Sequence, residues 1–264
     1  MVKTAGQSLS LKEVLRTSVG VMGENSRGLT EKVVLSKCRL YTVKRFWKVI
    51  VRKSEFGRRV ERLAQVCNKC DYLVPITAYL YAKRIKLVVL DFYPMGSLAD
   101  LLSGGRRQTA LNWNERLRII DSITRAVAFI HGQSPPTEKS MKMNVHGNIK
   151  SSNIMINNDL TARLSDYEFV QLADCIEDSE SKERSRTTNN IYSEDLSQKS
   201  DVFNLESIKE GDSTFFEFHA KGKERKQAFK VLEIALASTN TLPETRPSIE
   251  QILLKLSKLF NTSK

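Results

Sequence analysis

Residues 146–153 read HGNIKSSN and residues 164–168 read LSDYE. The first run supplies a cation at Lys150 and side-chain amides at Asn148 and Asn153, and the second adds the carboxylate of Asp166. Oxygen atoms of carboxylates and amides are the ligands that hard cations prefer. An amide at Asn148 has the shape of a carboxylate without its basicity, so this residue cannot act as a general base.

The composition predicts a globular protein with a basic surface. The chain has 264 residues and a net charge of +12, enough length for one two-lobed domain or two small ones. The positive charge favours acidic partners such as an anionic membrane surface or phosphorylated segments, although a generally basic solvated surface explains it as well. The basic clusters are not interleaved with aromatic residues in a way that would suggest base stacking, so we expect no nucleic-acid partner. The clusters comprise Arg52, Lys53, Arg58, Arg59 and Arg62, then Arg106 and Arg107, then Lys221, Lys223, Arg225 and Lys226.

The cysteines indicate a reducing compartment, and the apolar segments give no sign of a membrane span. Cys67 and Cys70 form a C-x-x-C pair with no second pair or histidine nearby, and a zinc site needs about four ligands. The pair is either a redox dithiol or, as we expect, two half-buried thiols on an amphipathic helix. No apolar run is long enough to span a bilayer, and the first residues lack an apolar signal core. We expect a cytoplasmic chain, or the cytoplasmic part of a longer receptor at the plasma membrane.

The first third of the chain alternates strands with one helix. Apolar strands are predicted over residues 32–35, 40–46, 73–81 and 86–92. Between the second and third, residues 54–67 place apolar side chains at helical spacing. This order predicts a small antiparallel sheet with one helix packed across it.

The rest of the chain is predicted to be helical. An apolar stripe from Leu117 to Ile130 predicts a helix that begins near Asn114, a plausible cap. Two more helices are expected over residues 228–236 and 249–256, the last with a capping box from Ser248 to Gln251. Residues 174–198 carry almost no apolar side chains, which indicates either a disordered insertion or a phosphorylated regulatory loop.

These runs, in this order, resemble the protein kinases. HGNIKSSN resembles the kinase catalytic loop H-R-D-x-K-x-x-N, and residues 72–79, 91–98 and 198–203 most closely resemble the cytoplasmic domain of plant leucine-rich-repeat receptor-like kinases. The resemblance implies an α+β, two-lobed kinase-like fold with an antiparallel-sheet N-lobe, residues 1–90, and a mainly helical C-lobe, residues 91–264. Residues 167–198 would correspond to the activation segment.

The resemblance assigns the catalytic positions. Asn148 stands in place of the catalytic-base aspartate, and Gly147 replaces the arginine that grips an activation-loop phosphate. Lys150 matches the lysine that neutralises the γ-phosphate. Asn153 and Asp166 match the two magnesium ligands, with Glu168 replacing the glycine of D-F-G.

It also assigns the positions that would hold ATP. Gly23, Asn25 and Gly28 stand where the family has its glycine-rich loop. Lys44 matches the lysine that holds the α- and β-phosphates, and Glu61 is the helix carboxylate expected to pair with it. Backbone groups of the hinge around Asp91, Phe92 and Tyr93 would contact adenine, with Leu90 as gatekeeper. Thr42, in place of the usual alanine, is expected to narrow the pocket.

Further along, the pattern departs from the family. No A-P-E triplet is present, and Glu194 is its nearest substitute. Asp201 resembles the aspartate that anchors the catalytic loop, and Arg246 resembles the arginine that pairs with the A-P-E glutamate. The segment after Asp201 is more polar than the helix found there in the family.

We therefore expect a pseudokinase that works in signalling as a binding or allosteric module for other receptor-like kinases or signalling proteins. The substitutions weaken independent parts of the catalytic machinery, while the retained residues would still allow ATP and Mg²⁺ to bind. The alternative is a weakly active Ser/Thr protein kinase, since phosphoryl transfer depends mostly on positioning and charge neutralisation. A third hypothesis is a scaffold that binds no nucleotide.

Overall fold

A five-stranded antiparallel sheet forms the first part of the structure, which is a computed structural model. The structure describes residues 18–25, 28–35, 39–47, 49, 51–103, 111–134, 141–172, 197–211 and 222–261. The strands lie in the order β1-β2-β3-β5-β4. They are β1 (Ser18–Asn25), β2 (Gly28–Leu35), β3 (Arg39–Phe46), β4 (Ile76–Tyr81) and β5 (Lys86–Asp91). The central position of β3 places Thr42 and Lys44 within the sheet, opposite Leu90 and Val88 of β5.

One long helix, α1 (Lys53–Cys67), packs across this sheet. Phe56, Val60 and Leu63 are at most 1% exposed and recur at helical spacing, as predicted. The ring of Phe56 lies edge-on to that of Tyr79 in β4, with the ring centroids 5.9 Å apart. Gly57 allows the close approach of β4, because a Cβ atom there would lie 2.6 Å from Tyr79 Oη.

The second part of the structure is built around the helix α3 (Trp113–His131), which packs against α7 (Ile249–Asn261) and the short strand β7 (Ala162–Leu164). The other elements are α2 (Leu98–Leu102), β6 (Ile154–Ile156), α4 (Tyr167–Leu172), α5 (Gln198–Gly211) and α6 (Lys223–Ser238). Across the described ranges, no helix has the length and apolarity of a membrane span.

Asn112 caps α3, so the prediction of a cap at Asn114 is wrong by two residues. Asn112 Oδ1 accepts a hydrogen bond from the backbone N of Glu115 at 3.0 Å. Glu115 Oε2 in turn accepts one from the Asn112 backbone N at 2.8 Å. This reciprocal capping box satisfies two free N–H groups and fixes the start of the helix at Trp113. The predicted box between Ser248 and Gln251 is confirmed.

The core confirms the predicted α+β architecture. One large cluster of buried apolar residues continues from Phe56 and Leu63 of α1 into Ile120 and Val127 of α3. A smaller cluster lies within the sheet, formed by Val33, Val43, Leu87 and Val89. The polar stretch over residues 174–196, with Glu194, lies outside the described residues, as do Arg106, Arg107 and Lys221.

Candidate functional site

A cleft of about 270 Å³ is lined by residues of the sheet and by the two runs at 146–153 and 164–168. Gly23, Thr30, Thr42 and Lys44 line it from the sheet. Lys150, Asn153, Ser165 and Asp166 line it from the other part of the structure. The fold thus gathers into one cleft residues that are far apart in the sequence.

Lys44 and Asp166 form a buried ion pair inside this cleft. Lys44 Nζ contacts Asp166 Oδ1, and the two residues are 4% and 6% exposed. Lys44 Nζ also donates to Ser165 Oγ at 3.0 Å. On the other side, Asn148 Nδ2 donates to Asp166 Oδ2 at 3.3 Å. Both oxygens of the Asp166 carboxylate therefore accept hydrogen bonds from the protein itself.

The run 146–153 is held in place from below by Asp201 of α5, which is fully buried. Asp201 Oδ2 accepts from the backbone N of His146 at 2.7 Å, and Oδ1 accepts from that of Gly147 at 2.8 Å. His131 Nε2 lies 3.0 Å from Oδ2 as well. The Gly147 backbone has a φ of 74°, a left-handed conformation that glycine adopts without steric cost.

His146 connects this run to the residues before Asp166. Its Nδ1 accepts from the backbone N of Asn148 at 3.1 Å, and its Nε2 lies 3.0 Å from the carbonyl oxygen of Ser165. The neutral ring protonated on Nε2 satisfies both contacts, because Nδ1 then accepts and Nε2 donates. His146 is fully buried and braces Asn148 against Ser165.

The chain turns sharply at Asp166 and enters α4 directly. Asp166 has a φ of 73°, a conformation that aspartate tolerates better than most residues. Tyr167, the first residue of α4, is 1% exposed, and its hydroxyl donates to the carbonyl of Met143. Burial raises the pKa of the Tyr167 hydroxyl well above its usual range. The backbone of Glu168 lies in the first turn of α4, and its side chain is outside the described residues.

The predicted ion pair between Glu61 and Lys44 is wrong. Glu61 lies on the exposed face of α1 and accepts a hydrogen bond from Tyr79 Oη at 3.5 Å. The buried face of α1 carries Phe56, Val60 and Leu63. Since each helical residue advances by 100°, Glu61 cannot share that face.

Arg59 occupies the buried face of α1 and was not identified from the sequence as a site residue. It is 4% exposed, forms an ion pair with Glu55, and donates from Nη1 to the carbonyl oxygen of Gln171 at 3.2 Å. The helical spacing from Phe56 to Leu63 was the signal that could have placed it. We counted Arg59 among the surface basic clusters instead, because buried arginines are rare.

The predicted glycine-loop residues have different positions relative to the cleft. Gly23 lines the cleft, next to an irregularity in the pairing of β1 with β2. Asn25 and Gly28 face each other where β1 ends and β2 begins. The side chain of Asn25 is outside the described residues, and Gly28 is not part of the described cleft lining.

At the predicted hinge, Leu90 and Asp91 line the cleft, whereas the side chain of Tyr93 packs into the core. Burial raises the pKa of Tyr93 to about 12. Only backbone groups of Tyr93 therefore remain available as adenine contacts. Thr42 is 6% exposed and lines the cleft, where its side chain was expected to narrow the pocket.

The two predicted metal ligands adjoin each other through Asn148. Asn153 Nδ2 donates to the carbonyl oxygen of Asn148 at 2.8 Å, and Asn148 in turn contacts Asp166. Across the described ranges, no group of three or more His, Cys, Asp or Glu side chains could hold a metal ion. Magnesium requires near-octahedral oxygen coordination. With both Asp166 oxygens accepting hydrogen bonds from the protein and the Asn153 amide held by its contact with Asn148, these residues as arranged do not fit Mg²⁺.

Arg246 has partners other than a glutamate. Its Nη1 donates to the carbonyl oxygen of Lys199 at 3.1 Å, and its guanidinium lies 4.7 Å from the ring centroid of Phe203. Both residues belong to α5, whose first turn also carries Asp201. Arg246 thus anchors the helix that supports the run 146–153.

Comparison with known proteins gives consistent matches. The model of the protein kinase domain matches residues 17–205. "Probable inactive receptor kinase RLK902" of Arabidopsis thaliana is 37% identical over 170 residues, which are 64% of this chain and 25% of that protein. "Pollen receptor-like kinase 1" of Petunia integrifolia is 34% identical over 163 residues, 61% of this chain and 21% of that protein. The chain thus spans about a quarter of the length of the curated relatives it matches.

Two solved structures share the fold. The pseudokinase domain of BIR2, an immune regulator, is 22% identical with a TM-score of 0.78, covering 99% of this chain and 89% of that chain. The kinase domain of maize SIRK1 bound to AMP-PNP is 22% identical with a TM-score of 0.75, covering 97% and 98%. At this identity the likeness concerns the fold alone.

Proposed function

The chain belongs to the protein kinase family, and from that premise we propose that it is a pseudokinase domain of the plant receptor-like kinase type. It acts in signalling by binding other proteins rather than by transferring phosphate. Relatives named as inactive receptor kinases support this proposal. So does the position of the amide that stands where the family has its base.

The observation that carries the proposal is the contact between Asn148 and Asp166. An active kinase needs a carboxylate at the first position to accept the proton of the attacking hydroxyl. Asn148 instead uses its side chain as a donor, toward the carboxylate that would hold the metal. The Asn148 amide therefore cannot accept the proton, and its hydrogen bond engages the Asp166 oxygen that a metal ion would need.

We further propose that the cleft keeps a weak capacity for ATP. Lys44 and Lys150 line it with positive charge, and Leu90 provides an apolar wall. Its volume of about 270 Å³ lies just under the range of roughly 300–1,000 Å³ that is typical of ligand pockets. A cleft of this size, with its carboxylate already paired, is the basis for proposing weak nucleotide binding.

The partners we propose are other receptor-like kinases or signalling proteins on the cytoplasmic side of the plasma membrane. A boundary between the two lobes after residue 90 remains part of this proposal, since β5 ends at Asp91. In such a module the docking surface carries the function, and the state of the cleft can influence that surface.

Transfer of labelled γ-phosphate from ATP to the chain or to a general protein substrate tests the proposal. We expect the wild type and Asp166→Ala to give the same background signal. Transfer by the wild type that Asp166→Ala abolishes would overturn the pseudokinase assignment. Transfer that persists equally in both indicates a contaminating kinase.

Thermal melting with millimolar ATP tests nucleotide binding separately. A ligand that binds only the folded state raises the melting temperature. We expect a small upward shift that Lys44→Met removes, because the substitution takes away the ammonium group in the cleft. No shift at millimolar ATP would refute nucleotide binding and leave a scaffold without a ligand.

A further inference from the structure

We propose that this cleft excludes divalent cations, and that the ammonium groups of Lys44 and Lys150 hold the phosphates of a bound nucleotide without a metal ion. Exclusion of the metal stands on the arrangement around Asp166; the second half rests on the nucleotide binding proposed above. In this chain the ammonium of Lys44 and the amide of Asn148 take the place of the cation.

Both carboxylate oxygens of Asp166 already have donors from the protein. Oδ1 accepts from Lys44 Nζ and lies 3.5 Å from Ser165 Oγ, and Oδ2 accepts from Asn148 Nδ2 at 3.3 Å. A divalent ion at this carboxylate has to displace one of these donors. With an aspartate in place of Asn148, Oδ2 would face a second carboxylate and not a donor.

The ion pair between Lys44 and Asp166 is buried. The side chains of Lys44 and Asp166 are 5% and 9% exposed, so water screens them little. A metal that displaced Lys44 would leave a buried ammonium close to a second positive charge. Breaking a buried ion pair by removing one partner is strongly unfavourable. Replacement of Lys44 by a divalent ion at Asp166 is therefore unfavourable.

Among the described residues, the other carboxylates near the cleft do not form a metal site around Asp166. Asp91 Oδ1 accepts from Thr77 Oγ1 at 3.3 Å. Asp100 Oδ2 accepts from the backbone N and the hydroxyl of Ser97, at 2.8 and 2.9 Å. Asp91 and Asp100 line the cleft but serve the local structure, and the third carboxylate of its lining, Glu24, is an exposed residue of β1. Asn153 adds only a neutral amide whose nitrogen donates to Asn148.

Two lysine ammonium groups in the cleft could hold the phosphates of a nucleotide. Lys44 and Lys150 both line the cleft, one on β3 and one in the run 146–153. An ammonium is a compact charge with three donors that suits phosphate oxygens. The two ammonium groups would therefore neutralise phosphate charge, as metal ions do in an active kinase.

Titration with Mn²⁺, followed by electron paramagnetic resonance of the free ion, tests metal exclusion without any measurement of activity. We expect the wild type to leave the free Mn²⁺ signal unchanged up to millimolar protein. We expect Asn148→Asp to bind Mn²⁺ at least about tenfold more tightly, since it removes a donor and adds a carboxylate. Asn157→Asp is the control for added charge, because Asn157 donates to Thr161 in the β6–β7 turn.

Melting with ATP in EDTA and with ATP in Mg²⁺ tests the second half. We expect equal shifts in the two conditions. Mn²⁺ binding by the wild type, or an ATP shift that requires Mg²⁺, overturns the proposal. If Asn148→Asp still excludes Mn²⁺, the amide is not the cause and the proposed arrangement is wrong. If ATP gives no shift in either condition, nucleotide binding fails, and the Mn²⁺ titration still decides metal exclusion.

Discussion

Arg59 of α1 donates a hydrogen bond to the backbone carbonyl of Gln171 in α4 at 3.2 Å. This contact ties the helix of the sheet-bearing part to the segment that follows Asp166. Gln171 extends the connection, since its side chain accepts from the Lys142 backbone N at 2.9 Å and donates to the Lys142 carbonyl at 2.9 Å. A buried cation on α1 therefore helps to hold α4 in its helical position.

Replacing Arg59 by methionine should lower the free energy of unfolding by about 1–3 kcal/mol, the cost of leaving a buried acceptor without its donor. The methionine stem preserves most of the volume. Urea denaturation of the purified domain measures the effect. Arg125→Met is the control, because Arg125 forms an exposed pair with Asp121 one turn away. Its loss should cost less than about 0.5 kcal/mol, and equal costs for the two variants would contradict the role of Arg59.

Gly147→Ala should destabilise the domain by about 1–2 kcal/mol, because φ is 74° at this residue and an L side chain there is strained. Gly132→Ala provides the comparison. Gly132 has a φ of −77°, and a Cβ atom there meets only backbone oxygens at 3.5 Å or more. We expect this second variant to be neutral or slightly stabilising. Thermal and urea unfolding of both variants measures the change in stability. If Gly147→Ala is as stable as the wild type, the positive φ at residue 147 carries no strain for an L residue, contrary to this prediction.

Asp201→Asn should cost at least about 2 kcal/mol in unfolding free energy. The carboxylate accepts from the backbone N of His146 and Gly147 and contacts His131. The asparagine side chain replaces one of the two accepting oxygens with an NH₂ donor. That donor would face a backbone N–H, which would lose its acceptor. Asp121→Asn, at a partly exposed position of α3, serves as control and should stay within about 0.5 kcal/mol of the wild type. A small effect at Asp201 would show that the run 146–153 does not depend on α5.

Tyr93 should make the domain less stable at alkaline pH. Burial raises its pKa to about 12 in the folded state, against an ordinary value near 10. Below pH 10 both states keep the proton. Above it the unfolded state ionises first, so the stability that Tyr93 contributes is lost as the pH rises from 10 to 12.

In Tyr93→Phe this loss should disappear, changing the slope of stability against pH by at most about 1.4 kcal/mol per pH unit in that window. Urea unfolding at several pH values between 9 and 11.5 compares the variant with the wild type. Tyr41→Phe, at a half-buried position of β3, controls for the loss of a hydroxyl. Parallel pH profiles for wild type and Tyr93→Phe would count against the raised pKa.

Helical spacing predicted the existence of the long helices better than their ends or their inward polar residues. The apolar positions of α1 and α3 were predicted correctly, because burial of a continuous face repeats every three to four residues. The start of α3 was misplaced because Asn112 and Asn114 are chemically equivalent caps, and only the position of Glu115 distinguishes them. Glu61 was assigned as the partner of Lys44 because it is a carboxylate on the predicted helix. The packing of α1 places it on the exposed face instead.

The order of the motifs around residues 146–153 was sufficient to predict the family, the α+β fold and the lack of a base at Asn148. These properties depend on residue type and order, which the chain displays directly. Only the tertiary structure revealed that Arg59 lies on the buried face of α1, that Arg246 anchors α5, and that Lys44 and Asn148 both contact Asp166. Such contacts join residues 100 or more positions apart in several cases. Their partners are set by how helices and strands pack, which no local pattern encodes.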